Sequence, residues 1–432
     1  MLTTWKKILP LTLSLISIPT SFAHTPPLKF ASAEHVVIGN NINLHFNQND
    51  SAQIGIPLTL PNGVKLTYGD LISMGDFYGA PDEKPISQGK SDKERELLFK
   101  QAFYSFASNA TTIDELNKIM NVVHMEQKII EIGLNNNEKP EDIYKTIGHE
   151  FDRQLNCISG GGCDANTWWM TPGRYLKLVY MNYDHFGDDA IITYKVGHDI
   201  ALELAVNAKK THDIKKLELA YAMNAFASHF LTDRFASGHI RTPRVELPER
   251  VSSSQIGSLL ANYMHAEESL YGLHVHNKNG DHWIAYGDKS YFSTQSEIHR
   301  KMIQTAVQKS ADEVFAAYTL GTKYIHDRTI NLIPEPDELM DASLIDISSL
   351  FYWNKQTNKL MRRQDMTNYY DKHWTDNWWG WTTLIELARA RGVSNSAQAQ
   401  LLQSKFAEKA IRDGLITNKY FISYYVKNKR NS

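Results

Sequence analysis

Between Leu217 and Leu231 apolar residues recur at the helical period: Leu217, Ala220, Met223, Ala227, Phe230 and Leu231 form one stripe, with charged residues concentrated at the start of the segment. Set into this helix are His229 and Asp233, four positions apart, so both project from one face and could grip one metal ion. Taken alone the pair is weak evidence, because such pairs are more often surface or core hydrogen bonds. The following Ala236-Ser237-Gly238 can end the helix and turn His239 back toward the same cavity.

The helical period also runs from Ser91 to Val123 and from Tyr194 to Phe235, and further helices are expected over 255–270 and 295–320. Pro243, Pro248, Gly272 and the run Asn277-Lys278-Asn279-Gly280 mark loops. Residues 54–68 alternate around Pro61-Asn62-Gly63 and predict a short hairpin. The expected class is therefore all-α, a multi-helix domain with a minor N-terminal hairpin. Pro334-Glu335-Pro336-Asp337 is the candidate boundary between a main domain over 24–333 and an aromatic-rich extension, expected to be helical, over 334–432.

A chain of 432 residues, 42% of them hydrophobic, can bury a substantial core. The net charge of -2 provides no strong field for a polyanion, so nucleic acid is not the favoured partner. At the start, Lys6 and Lys7, the apolar run Ile8–Ile18 and Ser21-Phe22-Ala23 read as a signal peptide over 1–23. Pro10 and Pro19 interrupt the run, which falls short of the ~20 residues a membrane span needs. Export to the periplasm or beyond the cell is the expectation. The only cysteines, Cys157 and Cys163, flank Ile158-Ser159-Gly160-Gly161-Gly162 and should pair in an oxidising compartment; a lone thiol or half of a zinc site are the alternatives.

Other segments add candidate ligands. Asp184 lies in Asn182-Tyr183-Asp184-His185-Phe186, and His198 follows fourteen positions later, a separation suited to a loop carboxylate meeting a helix histidine. His265-Ala266-Glu267-Glu268 sets a histidine and carboxylates about one helical turn apart. His35 stands near the expected mature N-terminus.

With these residues in view, the chain resembles the zinc-dependent phospholipase C and fungal zinc nuclease family, over roughly residues 30–285. His229, Asp233 and His239 reproduce its central H-x3-D-x5-H motif. His35 follows Phe30 by five positions, as the family's N-terminal histidine follows its first tryptophan. Asn182–Gly187, Gly238–Arg244 and Tyr68–Gly79 look closest to secreted phospholipases C of gammaproteobacterial pathogens. The resemblance implies a secreted, monomeric hydrolase holding three Zn2+ ions and cleaving the glycerol-side phosphodiester of phospholipids at a membrane surface.

The same resemblance gives the residues roles. Asp184, His198 and His229 would form a first site, with Asp184 also the general base; Asp233 would bridge to a second ion held with His35. His239, His265 and Glu268 would hold the third, Glu267 being the fallback because Ser269 occupies the position four after His265. Arg241 and Arg244, with Arg234 nearby, would bind lipid phosphate or pair with local carboxylates. Asp70 and Asp76 would line the site or cap turns. Trp374, Trp378, Trp379 and Trp381 would dock on lipid or pack in a core. A zinc nuclease or phosphatase on the same ligands, or a non-catalytic secreted binding protein, are the competing readings.

Overall fold

A computed structural model describes residues 32–49, 51–147, 149–323, 328–337 and 347–391; the expected leader and its cleavage site lie outside them. The described chain is mostly helical, with short sheets. Its centre is a hairpin of two long helices, Gly187–Thr211 and Ile214–Phe235. The turn between them is short because His212 takes a left-handed conformation (φ 53°) and sends its N–H back to the carbonyls of Ala208 and Lys209. Asp213 then caps the second helix by accepting from the Lys215 N–H. Ile214–Phe235 is buried along its second half on every side, from Ala220 to Phe235, which a helix tolerates only when other elements enclose it.

Beside its hairpin partner Gly187–Thr211, those enclosing elements are the helices Asp92–Ala107 and Glu297–Leu320, and an N-terminal pair, Ser32–Asn40 and Tyr68–Ser73. Ser91 caps the first of these. Phe99, Phe103 and Phe106 from that helix interlock with Phe226 at ring separations of 5.3–6.0 Å. The N-terminal pair crosses at Gly39 and Gly69, where a Cβ on Gly69 would lie 2.2 Å from the Val36 carbonyl oxygen. This close crossing seats the short helix carrying His35 in the core. The hairpin expected around Pro61-Asn62-Gly63 is present, with Leu58↔Leu66 and Thr59↔Lys65 in antiparallel register.

A second core joins the helix Ser254–Tyr271 to the C-terminal region through Leu247, Leu260, Met264, Leu350, Phe351 and Leu387. Here the expected helical extension is corrected. Phe351–Asn354, Lys359–Arg363 and Trp374–Thr375 form a three-stranded antiparallel sheet, and only Gly380–Arg391 is helical among the described residues. Turn chemistry explains the strands: Asn354 Oδ1 accepts from the N–H groups of Gln356 and Thr357, and Asn358 adopts φ 54°, so the chain reverses after four residues. Arg363, fully buried, ties the sheet to the helix by a two-pronged pair with Glu267 (2.6 and 3.1 Å). Glu335–Pro336, at the expected boundary, pairs with Val275 and His276 and so belongs to the main body. The disulfide Cys157–Cys163 is formed.

Candidate metal centre

Five histidines and three aspartates converge in one buried region. His35, Asp76 and His229 form one group, His185, His229 and Asp233 a second, and His239, His265 and Asp288 a third; within each, the potential ligand atoms lie within 4.8 Å of one another. The motif helix supplies His229 and Asp233, whose Nε2 and Oδ2 are 3.2 Å apart. Asp76 arrives on the tight turn Met74–Asp76. Gly75 permits this, since a Cβ there would fall 2.1 Å from His229 Cδ2. His185 ends the turn Tyr183–His185 with Nδ1 2.6 Å from Asp233 Oδ2 and 3.1 Å from His229 Nε2. The third group adjoins these, because His239 Nδ1 donates to the His185 carbonyl (3.0 Å) and Phe186 stacks on the His239 ring at 4.2 Å.

Ring tautomers can be argued from these contacts. Thr232 has one hydroxyl hydrogen, and its oxygen lies 2.7 Å from the His229 carbonyl and 3.0 Å from that of Ser228. Its bond to His35 Nδ1 (2.9 Å) therefore runs from the ring N–H to the hydroxyl oxygen. His239 likewise spends its Nδ1–H on a carbonyl. In the neutral form both rings then turn a lone pair on Nε2 toward a carboxylate: His35 toward Asp233 at 3.3 Å, His239 toward Asp288 at 3.6 Å. Acceptor facing acceptor in a buried site requires a cation between them, a proton or a metal. Asp76 Oδ1 and His265 Nε2 are buried without a well-formed hydrogen bond, with His229 Nε2 3.7 Å from the first and Asp288 Oδ2 3.3 Å from the second, which suits atoms that share an ion.

Protonation follows the same logic. Burial works against a charged His35, yet Asp233, with Asp76 and Asp288, lifts it to about 9. Burial opposes ionisation of Asp233 and Asp288 too, but their histidine neighbours hold both well below the ordinary carboxylate range. His229 and His265 are pushed down, chiefly by burial, which keeps them neutral and able to act as ligands. These groups could hold metal ions; nitrogen and oxygen donors from histidine and aspartate suit zinc and other divalent transition cations.

Of the expected ligands, His35, His229, Asp233, His239 and His265 are gathered here, and three are not. Asp184 accepts from the backbone N–H groups of Ile86 (2.6 Å) and Ser87 (2.8 Å) and from the Thr193 hydroxyl (2.9 Å), so its carboxylate pins a loop to the central helix. His198 has both nitrogens engaged, Nδ1 with Asn224 at 2.6 Å and Nε2 with Glu313 at 2.7 Å. Glu268 is bound by Arg241 Nε at 2.7 Å, and Glu267 by Arg363. The two arginines assigned to substrate are also committed internally. Arg241 Nη2 donates to the Ile347 carbonyl, and Arg244, fully enclosed, donates to Asn182 Oδ1 and to the carbonyls of Val179 and Tyr180.

The residues grouped with the five expected ligands that the sequence did not single out as ligands are His185, Asp76 and Asp288. Asp288 reaches the site from Leu273–His276 and His282–Ala285, a strand pair that continues the helix bearing His265. Asp70, the other uncommitted aspartate, forms a capping box with Thr67 and pairs with His124 at 2.7 Å. Three of the four clustered tryptophans are half-buried: Trp374 and Trp378 donate to the carbonyls of Ser349 and Leu360, and Trp381 packs on the second core. Trp379 stands 60% exposed.

A pocket lined by Ser32, Glu126, Phe151, Asp152, Tyr175 and Lys289 borders the centre. Ser32 connects the two by donating to Asp76 Oδ2 at 2.5 Å. Burial, reinforced by Asp152 and opposed by Lys289, pushes Glu126 up to about 8. No helix among the described residues is long and apolar enough to cross a membrane. No protein-family model matches the chain, and no curated protein or solved structure matches it at a significant level.

Proposed function

We propose that this protein is a zinc-dependent phosphodiester hydrolase with phospholipase C activity. The observation that carries the reading is the set of histidine nitrogens that converge on three aspartates and, in their neutral form, face the carboxylate oxygens of Asp233 and Asp288 as acceptors, so that each contact calls for a proton or a metal ion between them. His35, Asp76, His185, His229 and Asp233 would hold ions on one side, with Asp233 shared; His239, His265 and Asp288 would hold another. Zinc bound there would neutralise phosphate charge, lower the pKa of bound water toward ~7 and stabilise the departing oxygen.

The chain's own residues do the rest. With Asp184 spent on backbone, Asp76 becomes the candidate base: Ser32 meets its Oδ2, Oδ1 would sit on an ion, and the carboxylate would take the proton from a water bound beside it. A phospholipid is favoured over nucleic acid by the resemblance and by the near-zero net charge, which provides no strong field for a polyanion. The resemblance to zinc phospholipases C, carried by the motif helix, is consistent with this assignment.

The test is metal analysis of the purified protein alongside a split substrate assay. Diacylglycerol release from phosphatidylcholine vesicles, abolished by chelation and restored by Zn2+, is expected. Nucleotide release from single-stranded DNA without lipid turnover would move the assignment to a nuclease. Absence of stoichiometric metal would overturn it altogether.

A further inference from the structure

A separate histidine–aspartate arrangement lies on the hairpin Leu273–His276/His282–Ala285. His276 and His282 face each other across the strand pair, with ring centroids 5.7 Å apart and planes tilted by 31°. Asp337 comes off Glu335–Pro336, which pairs on the opposite edge of Leu273–His276. One of its carboxylate oxygens meets His276 Nδ1, and the other lies 3.3 Å from His282 Nδ1. The Asp337 N–H donates to the His274 carbonyl at 3.0 Å, which anchors it in place. The carboxylate side chain is 3% exposed, whereas the two histidine side chains are 36% and 48% exposed.

The order of burial matters. A carboxylate can only accept, so each Nδ1 is the N–H donor, and in the neutral ring Nε2 is the nitrogen that carries the lone pair. Metal-binding histidines are prepared in this way, with the distal ring N–H given to a carboxylate that fixes ring and tautomer. An ordinary surface ion pair would commit one histidine to one acid; here a single buried acid orients two imidazoles side by side.

We propose that His276 and His282 form a solvent-facing site for a divalent transition cation, zinc or copper, bound through both Nε2 atoms with Asp337 as the positioning residue. Nitrogens sharing one such ion at bonds of about 2.0 Å stand roughly 3.3 Å apart, so the two half-exposed rings swing toward each other on binding. Copper binds more tightly than zinc, as for other imidazole sites. Because the hairpin leads from the helix of His265 to Asp288, a bound ion would also staple the segment that delivers Asp288 to the buried centre. The proposal does not depend on the hydrolase reading.

Equilibrium dialysis of the full chain against micromolar Zn2+ and Cu2+ tests it, comparing the wild type with His276→Ala/His282→Ala. The expected result is one equivalent fewer in the double variant, whatever the buried centre retains, so this outcome is independent of metal in the centre. Asp337→Asn should weaken the extra equivalent about 10–100-fold. His276→Ala and His282→Ala singly, each at a part-exposed position, serve as folded controls by circular dichroism. Equal metal content in the wild type and a folded double variant overturns the site, and unchanged affinity in a folded Asp337→Asn overturns the positioning role.

Discussion

Two buried histidine networks share the central helix pair, and they differ in a way that residue type and burial do not reveal. Around His198 every polar group is answered: Asn224 and Glu313 take its two nitrogens, Asn224 donates to the Tyr68 hydroxyl at 2.6 Å, and Glu313 Oε1 accepts from the Thr329 backbone and hydroxyl. One helical layer away, in the cluster of His35, Asp76, His185, His229 and Asp233, the neutral His35 ring would face Asp233 as acceptor to acceptor, and Asp76 Oδ1 makes no hydrogen bond. Both are almost completely enclosed. A closed hydrogen-bond network needs nothing added, whereas a buried excess of acceptors needs a positive charge. Ligand sets are therefore identified by what is left unsatisfied.

The largest effects should fall on opposite observables in the two networks. Asp233→Ala removes the carboxylate common to His35, His185 and His229, so at least one equivalent of metal and about 10³-fold or more of hydrolytic activity should be lost together. Elemental analysis and the lipid assay on the same preparation read both. His198→Ala should do the reverse: metal content stays, while stability falls by about 3–5 kcal/mol in denaturant titration, because Glu313 is left buried and half paired. Loss of metal in a folded His198→Ala would erase the distinction between the networks.

How far the sequence disclosed this centre depends on whether geometry is local. His229, Asp233 and His239 are legible because they lie on or just beyond one helix, where spacing fixes direction. The turn Tyr183–His185 is not periodic, and in it Asp184 faces the Ile86–Ser87 backbone while its neighbour His185 faces Asp233, so a one-residue choice depends on the tertiary fold. Asp76 and Asp288 both follow a glycine whose missing Cβ allows close packing, Gly75 on His229 and Gly287 on Ser269. That signal is faint, since Asp70, Asp188 and Asp281 follow glycines as well. The long helices and the 58–66 hairpin were legible from periodicity and turn residues. The C-terminal strands were not, because aromatic density serves helix and sheet interiors alike.

Chelation sharpens the comparison through pH. In the stripped protein His35 is raised from 6.5 to about 9, so its proton binds more tightly in the folded state. The stability this supplies is fully present below 6.5 and is lost as pH rises through 9. A shift of that size corresponds to an upper limit on the order of 3 kcal/mol. Thermal melts of the chelated protein should therefore fall between pH 6.5 and 9, and the metal-loaded protein should show a much flatter profile, since the ion takes the proton's place as counter-charge. Identical profiles with and without chelator would show that a proton, and not a metal, satisfies these carboxylates.

The smallest effect belongs to Asp184, and it separates the two candidate bases. Its carboxylate accepts three hydrogen bonds, two of them from consecutive backbone amides. Asp184→Asn keeps one carbonyl oxygen for this purpose and sets an amide N–H2 against a backbone donor, which should lower stability by about 1–3 kcal/mol. A residue that holds a loop affects how much protein is folded, and on the proposed function any turnover per folded molecule should stay within a few-fold of wild type. Asp76→Asn leaves the Ser32 contact possible but removes the basic oxygen, so turnover should drop by about 10²–10⁴-fold at nearly unchanged stability. If Asp184→Asn instead abolishes turnover with an unaltered melting curve, the base is Asp184, and the loop it pins must release it during the reaction.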